Sequence, residues 1–284
     1  MSVAPPPAAL ESRPRERRRS VEPRVLASRP DRPRGPMRID RVLGTVVTID
    51  VRDPGADPAA VDAAFGFLWR ADARFSPYRP DSEVSRLIRG DVGEADLADD
   101  LRLLLALCED LRRTSDGAFD IRAHRPDGRP DPTGIVKGWA VEEASKILDA
   151  SGISSYVVSA GGDIVARGNP GPDARWRVGI RHPDDPGRVA AVVGIRDAAV
   201  ATSGAYERGD HIVDPRTGRP AKGLLSVTVV GPSLTLVDAY ATTAFAMGEP
   251  GVAWAASRTG CEALGITTDR RVLASAGFER LLAG

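Results

Sequence analysis

The sequence predicts an α+β fold in which a largely antiparallel sheet packs against helices. Short β-branched runs broken by Gly and Pro follow one another between residues 155 and 231, whereas the strands of a parallel sheet would alternate with helices. Helical spacing of Ala, Leu, Phe and Trp occurs in segments before and after these runs. This separation of the two patterns favours α+β over an alternating α/β arrangement.

The predicted helices have recognisable ends. Four segments place apolar residues at helical spacing, namely 58–75, 96–114, 137–152 and 233–248. Asp57 stands where it would cap the first helix, and Asp96 or Asp99 stands where it would cap the second. Gly152 stands where the third helix is expected to stop, because glycine adopts the left-handed backbone that ends many helices.

The predicted strands are short runs of β-branched residues. One strand opens the body of the chain in MRIDRVLGTVVTIDVRD. The later runs are SYVVSAGGDIVARG, WRVGIRHP, RVAAVVGIR, AAVATSG and LLSVTVVGP. A short hairpin, ITTD-RRVLAS, is expected near the C-terminal end.

The first 36 residues differ in composition from the rest. They carry nine Arg against four acidic residues, which is a net charge of +5 in a chain of formal charge zero, so residues 37–284 carry −5. A segment of Pro, Arg and Ser with few large apolar side chains cannot bury enough surface to offset the entropy of ordering. We expect a disordered tail over 1–36 and a single domain over 37–284.

The composition excludes several classes of protein. A net-acidic body with 5% aromatic residues offers neither a basic face nor a stacking platform for nucleic acid. Cys108 and Cys261 are far apart and lack CxxC spacing, which predicts two buried thiols rather than a disulfide or a zinc site. No apolar run approaches the roughly 20 residues that a membrane span needs, and no secretion signal is visible. The sequence therefore predicts a cytoplasmic protein.

The segment DPTGIVKGWAVEEA (131–144) has the features of an anion site. A loop leads into a helix, and Gly134 and Gly138 flank Lys137. The free N–H groups and positive dipole of a helix start attract anions, and a lysine adds charge. The segment lacks the GxxxxGK[ST] pattern of a nucleotide-triphosphate loop. The alternative is that the glycines only permit a tight turn and Lys137 is solvated.

The helix over 233–248 carries a pattern that suits a hard cation. Asp238 and Thr242 are four residues apart and share one face of an otherwise apolar helix. A lone carboxylate is costly to bury there, and Mg²⁺ would offset that cost because it takes carboxylate, hydroxyl and carbonyl oxygens as ligands. The alternative is an Asp that caps the helix or faces solvent.

Two further polar segments contain candidate site residues. The loop TSGAYERGDHIVDPRTGRP (202–220) gathers Ser203, His211 and Asp214 among turn residues. No GxSxG elbow presents Ser203, so a Ser-His-Asp hydrolase is disfavoured. In SAGGDIVARG a glycine pair precedes Asp163, for which a plain β-turn is the favoured interpretation.

Taken in order along the chain, these motifs resemble the FAD:protein FMN transferases, the ApbE-like family. The resemblance rests on a series of segments: LGT (43–45), FSPYRPDSEVSRL (75–87), TSDGAFDI (114–121), DPTGIVKGWAVE (131–142), SAGGDI (159–164), ATSGAYERG (201–209), HIVDPRTGRP (211–220) and SVTVVGPSLTLVDAYATTAFAMG (226–248). It covers nearly all of 43–248 and implies a T-fold-related architecture. The link between Ile121 and Asp131 is short, whereas relatives commonly carry a long insertion there.

The resemblance implies a set of site residues. Mg²⁺ would be held by Asp238 and Thr242, with backbone carbonyls of Gly134 and Ala241. The FAD site would be lined by Leu43, Tyr78, Phe119, Asp131 and Lys137. His211 would be needed for catalysis.

The implied reaction transfers FMN from FAD to a Ser or Thr hydroxyl of an acceptor flavoprotein and releases AMP. His211 is of a type to take the hydroxyl proton, because its ordinary pKa is near ~6.5. Asp214 and Asp163 remain alternative bases. Two other functions use the same site: an FAD pyrophosphatase, in which water replaces the protein hydroxyl, and a carrier that binds FAD without turnover.

Overall fold

The computed structural model describes residues 35–123, 125, 127–172, 174–205 and 212–283. Within these ranges the α-helices are α1 Pro58–Phe75, α2 Glu83–Arg89, α3 Asp99–Thr114, α4 Thr133–Ala150, α5 Leu234–Met247 and α6 Glu249–Ala256. Short 3₁₀ segments cover Glu94–Asp96 and Phe278–Leu281. Residues 1–34 of the predicted tail lie outside the described residues. Its last residue, Pro36, accepts a hydrogen bond from Val51 N at 3.1 Å.

The strands pair only with antiparallel neighbours. They are β1 Met37–Val42, β2 Thr45–Val51, β3 Tyr156–Ala160, β4 Asp163–Arg167, β5 Trp176–Arg181, β6 Val189–Ile195, β7 Ala198–Gly204, β8 Val213–Asp214, β9 Arg219–Pro220, β10 Leu224–Gly231, β11 Glu262–Thr267 and β12 Val272–Ala274. Eight of them form one sheet in the order β1-β2-β3-β4-β7-β10-β11-β12. The α+β class with a largely antiparallel sheet is thereby confirmed.

The large sheet is covered on both faces because its strands alternate apolar residues. In β4, Val165 joins the core cluster that contains the helices. Its neighbours Ile164 and Ala166 face the other way and join a second cluster. That second cluster includes Trp176 and Phe278, so the β5–β6 hairpin and the last 3₁₀ segment cover the face that the helices leave open.

Several predicted boundaries agree with the structure. Helix α1 covers the predicted residues, and the Asp57 side chain accepts from Ala59 N at its start. Gly152 follows α4 with φ +78°, as predicted for a helix stop. The predicted cap of α3 is wrong, because Ala98 holds the cap position without a side-chain bond. Its backbone N–H donates instead to Glu83 Oε1 at 2.7 Å, so tertiary contact replaces local capping.

Sequence periodicity missed two short helices, one strand of the opening run and the two-residue strands β8 and β9. Helices α2 and α6 each span fewer than nine residues, too few for a clear helical period. The opening run is a hairpin of two strands, β1 and β2, rather than one strand, because Leu43 and Gly44 form a turn within it.

Both cysteines are buried free thiols, as predicted. Burial raises the pKa of Cys108 to about 12 and also raises the pKa of Cys261. Because the thiolate is the reactive form, both side chains are inert near neutral pH.

Replacing Trp176 by Ala is expected to lower the free energy of unfolding by about 3–5 kcal/mol. Trp176 is 1% exposed, its Nε1 donates to Arg167 O at 3.0 Å, and Arg52 stacks over its ring. Urea unfolding followed by circular dichroism measures the loss. Trp69→Ala is the matched control, because Trp69 is 42% exposed and should cost much less. Equal losses would contradict the second core.

Candidate functional site

Two hairpin turns meet at one end of the large sheet. The β1–β2 turn consists of Leu43 with φ +55° and Gly44 with φ +71°, and the β3–β4 turn consists of Gly161 and Gly162 with φ +56° and +103°. Positive φ at both central positions is typical of a two-residue hairpin turn and disfavours side chains, so Leu43 is held in a strained conformation. Gly161 N donates to Val46 O at 3.3 Å, which sets the turns side by side.

The β3–β4 turn delivers Asp163 to a cluster of three charges. Lys137 Nζ forms ion pairs with Oδ2 of Asp163 and with Oδ2 of Asp238, the latter at 3.0 Å. Asp163 is 3% exposed and Asp238 is 7% exposed. Side chains of α4, β4 and the more distant α5 therefore converge on one ammonium group.

Close packing of α4 against α5 makes this cluster possible. A Cβ at Gly138 would lie 3.0 Å from Asp238 Oδ2 and 3.1 Å from Leu234 O, so any larger residue would crowd the contact between the two helices. Further along α4, Glu142 Oε2 accepts from Ser233 Oγ and Thr235 N, each at 2.8 Å. Glu142 thereby satisfies donors at the start of α5 from a neighbouring helix.

The cluster has the composition of a cation site. Among the described residues, two buried carboxylates form ion pairs with a single ammonium group, and a buried carboxylate is stabilised by a further cation. Thr242, one turn after Asp238, lies with its Oγ1 3.4 Å from Ser203 Oγ at the end of β7. Carboxylate and hydroxyl oxygens are ligands that Mg²⁺ accepts. In the part of the chain that the structure describes, no three His, Cys, Asp or Glu side chains form a cluster.

Gly134 and Ala241, whose backbone carbonyls are predicted metal ligands, differ in their exposure. Gly134 is exposed in the first turn of α4, and no heavy atom lies within 4 Å of where its Cβ would be. Space is therefore open beside the helix start, as a ligand requires. Ala241 is fully buried in α5 and immediately precedes Thr242.

The start of α4 carries the predicted flavin-site residue Asp131. Its Oδ1 accepts from Thr133 N at 3.1 Å and from Thr133 Oγ1 at 2.7 Å. Asp131 N donates to Ile121 O at 2.8 Å, so the short link after Ile121 returns directly to the helix start. This carboxylate fixes the loop that leads into the first turn of α4.

The aromatic candidates differ in accessibility. Tyr78 is 93% exposed in the loop between α1 and α2, which leaves its ring free to stack on a planar ligand. Phe119 is 6% exposed and belongs to the main core. Leu43 is partly buried and packs against the same core.

The DPRTG loop holds one candidate base. Asp214 forms two hydrogen bonds with Arg216, from Nε at 2.9 Å and from Nη2 at 3.0 Å. The Arg216 guanidinium holds the pKa of Asp214 below its ordinary value, which weakens this carboxylate as a proton acceptor. His211 lies outside the described residues, although Ile212 and the end of β7 on either side are described.

Sequence reasoning missed part of the cluster. It favoured a plain turn for Asp163, yet this residue shares a strand face with Val165, which points into the helix-side core. Alternate residues of a strand share a face, so an acidic residue two positions from a core residue is expected to face the core as well. This pattern can be recognised in the sequence. No comparable signal marked Glu142, because its partner Ser233 lies 91 residues away. The sequence marked Ser203 but not its contact with Thr242, which lies 39 residues away.

A separate cleft of about 370 Å³ lies among the end of α1, the start of α2 and the first 3₁₀ segment. Its lining contains none of the charged cluster. Arg74 pairs there with Glu83 and Asp100, so three of the charges in this region satisfy one another. We assign the candidate site to the cluster rather than to this cleft.

The fold and the site define an α+β protein with a buried carboxylate pair beside the open start of a helix. The chain belongs to the ApbE family, whose model matches residues 43–127 and 122–265. The two matches meet at 122–127, within the link that the sequence identifies as short.

Several named relatives are similar to parts of the chain. It is 37% identical over 133 residues to the FAD:protein FMN transferase of Escherichia coli (strain K12), an alignment that covers 43% of this chain and 38% of that protein. It is 33% identical over 228 residues to the one from Rhodobacter capsulatus, covering 77% of this chain and 40% of that protein. The matched part thus spans well under half the length of these relatives.

Solved structures share the architecture. The flavin transferase ApbE from Vibrio cholerae matches with a TM-score of 0.77 and 25% identity, covering 88% of this chain and all of that one. The ApbE protein from Thermotoga maritima matches with a TM-score of 0.75 and 23% identity, which supports the fold alone. Among the described residues no helix has the length and apolarity to span a bilayer.

Replacing Gly138 by Ala is expected to lower the free energy of unfolding by about 1–3 kcal/mol. The new Cβ would crowd the Leu234 carbonyl, which belongs to the backbone and cannot rotate away. Urea unfolding in EDTA measures the change. Gly134→Ala on the same helix is the matched control: its Cβ would meet nothing within 4 Å, and Ala favours the helix. A variant as stable as the wild type would contradict this packing constraint.

Proposed function

We propose that the chain catalyses magnesium-dependent transfer of the FMN moiety of FAD to a Ser or Thr hydroxyl of an acceptor flavoprotein, with release of AMP. The observation that carries the proposal is the buried cluster of Lys137, Asp163 and Asp238 beside the open start of α4. Membership of the ApbE family supports it, and so do relatives named FAD:protein FMN transferase.

Lys137 and the start of α4 are suited to hold the pyrophosphate of FAD. An ammonium group has three donors, and two of them meet the carboxylates of Asp163 and Asp238. The Lys137 side chain is 32% exposed, so a third direction is open to a ligand. The free N–H groups beside Gly134 add partial positive charge at the same helix end.

Leu43, Tyr78, Phe119 and Asp131 are proposed to complete the flavin site. Tyr78 offers an exposed ring for the face of a flavin or an adenine. Phe119, being in the core, would act by shaping the wall behind the ligand rather than by stacking in the open. Asp131 would act by fixing the loop into α4.

Asp238 and Thr242 would hold Mg²⁺, together with the backbone carbonyls of Gly134 and Ala241. The two buried carboxylates that share the Lys137 ammonium and the adjacent hydroxyls fit this ion. When bound, Mg²⁺ neutralises charge on phosphate oxygens. Phosphoryl transfer depends chiefly on such neutralisation and on positioning.

In the proposed reaction the acceptor oxygen forms a bond to the FMN phosphorus, and the bond from that phosphorus to the AMP oxygen breaks. The hydroxyl proton leaves to a base, for which we propose His211. The ion pair with Arg216 makes Asp214 the weaker choice. Asp163 already bonds the Lys137 ammonium.

Incubation with FAD, Mg²⁺ and a candidate acceptor protein is expected to add the mass of FMN to the acceptor and to release AMP. Mass spectrometry of the acceptor and chromatography of the nucleotides measure the two products together. Free FMN without modified acceptor would indicate a pyrophosphatase instead. Unchanged FAD would indicate a carrier and would refute catalysis.

Asp238→Ala is expected to reduce transfer by at least roughly a hundredfold, because the variant loses the proposed metal carboxylate. Asp197→Asn is the control, since Asp197 lies in the turn before β7, at the end of that strand opposite Ser203. Transfer by Asp238→Ala that stays at the wild-type rate across a magnesium titration would refute the metal assignment.

A further inference from the structure

Asp163 is the member of the charged cluster to which the proposed reaction gives no direct part. Its side chain is 5% exposed. Among the residues that the structure describes, Lys137 is the ionic partner of its Oδ2, and that oxygen accepts no hydrogen bond from them. A buried carboxylate with a single ionic partner is strongly coupled to the position of that partner.

The hairpin that carries Asp163 is built to fix this carboxylate. Gly161 and Gly162 turn tightly, and Ala160 pairs with Asp163 across the hairpin. A Cβ at Gly161 would lie 2.7 Å from Thr45 Oγ1, so the turn is packed against its neighbour. The backbone at Asp163 is therefore rigid compared with the flexible four-carbon stem of Lys137.

The two carboxylates that pair with Lys137 differ in their proposed roles. Asp238 is the proposed metal ligand, and a carboxylate oxygen that binds Mg²⁺ no longer favours an ammonium at 3.0 Å, since both cations repel each other. Asp163 has no such competing role. When Asp238 is engaged by a cation, Asp163 is the remaining anchor of the ammonium.

We propose that Asp163 is a positioning residue, which keeps the Lys137 ammonium at the pyrophosphate site when a divalent cation takes Asp238. This inference rests on the proposed function, because FAD is the anion that Lys137 would meet. The geometry supports this role. Asp163 on β4 is held rigidly, Asp238 on α5 would be taken by the metal, and both pair with the Lys137 ammonium on α4.

The direction in which Asp163→Asn changes FAD affinity distinguishes a positioning role from a purely electrostatic effect. Asp163→Asn removes a negative charge near an anion site, so electrostatic repulsion alone predicts tighter FAD binding. Loss of the anchor predicts weaker binding, because Lys137 must then be ordered by the ligand itself. The two accounts therefore give opposite directions.

FAD binding is measured by quenching of flavin fluorescence, once in EDTA and once at a Mg²⁺ concentration shown by titration to saturate each variant. Asp163→Asn is expected to weaken binding roughly tenfold with Mg²⁺, and by less in EDTA, where Asp238 still holds Lys137. In a Lys137→Met background the same substitution should cause no loss, because no ammonium remains to be positioned.

Asp163→Ser repeats the comparison with a smaller side chain should the amide disturb folding, and Asp197→Asn controls for removal of a turn carboxylate elsewhere. Unchanged or tighter binding by the Asp163 variants would overturn the inference, and so would a loss that persists in the Lys137→Met background. A wild-type chain that binds no FAD with or without Mg²⁺ would overturn the proposed function, and the role of Asp163 with it.

Discussion

The ion cluster around Lys137 imposes the strictest requirement on this molecule. One ammonium has to reach carboxylates on β4 and on α5, and burying three charges is tolerable only when their geometry is good. Helices α4 and α5 must therefore approach closely, which Gly138 permits. The β3–β4 turn must also be tight, which its glycine pair permits. Two glycine-dependent contacts thus serve a single electrostatic arrangement.

The antiparallel sheet explains why so many segments reach this place. Antiparallel strands return the chain to the same end of the sheet at every second turn, so the β1–β2 turn, the β3–β4 turn and the end of β7 are neighbours there. Helix α5 then crosses that end with Asp238 and Thr242 one turn apart. Glu142 fixes the start of α5 to α4, so the helix face that carries Asp238 and Thr242 has a defined direction.

The sequence predicted what depends on local pattern. Periodicity identified the long helices and the antiparallel strands, and spacing paired Asp238 with Thr242 on one helix face. It could not predict that Lys137 meets Asp238, because the residues are 101 positions apart. It also misjudged the start of α3, where Glu83 from another helix takes over the capping bond. Contacts between distant segments decided each of these points, and local propensity carries no information about them.

The separation of Lys137 from Asp238 has a consequence for the order of assembly. Lys137 and Asp163 belong to neighbouring parts of the chain, whereas Asp238 is synthesised much later and joins through a long loop closure. In a growing chain, Lys137 on α4 can pair with Asp163 on the β3–β4 hairpin before α5 is made. The cluster is complete only when α5 docks. The site therefore requires α5, and a chain interrupted before this helix lacks Asp238 and Thr242 and leaves the core surface that α5 covers exposed.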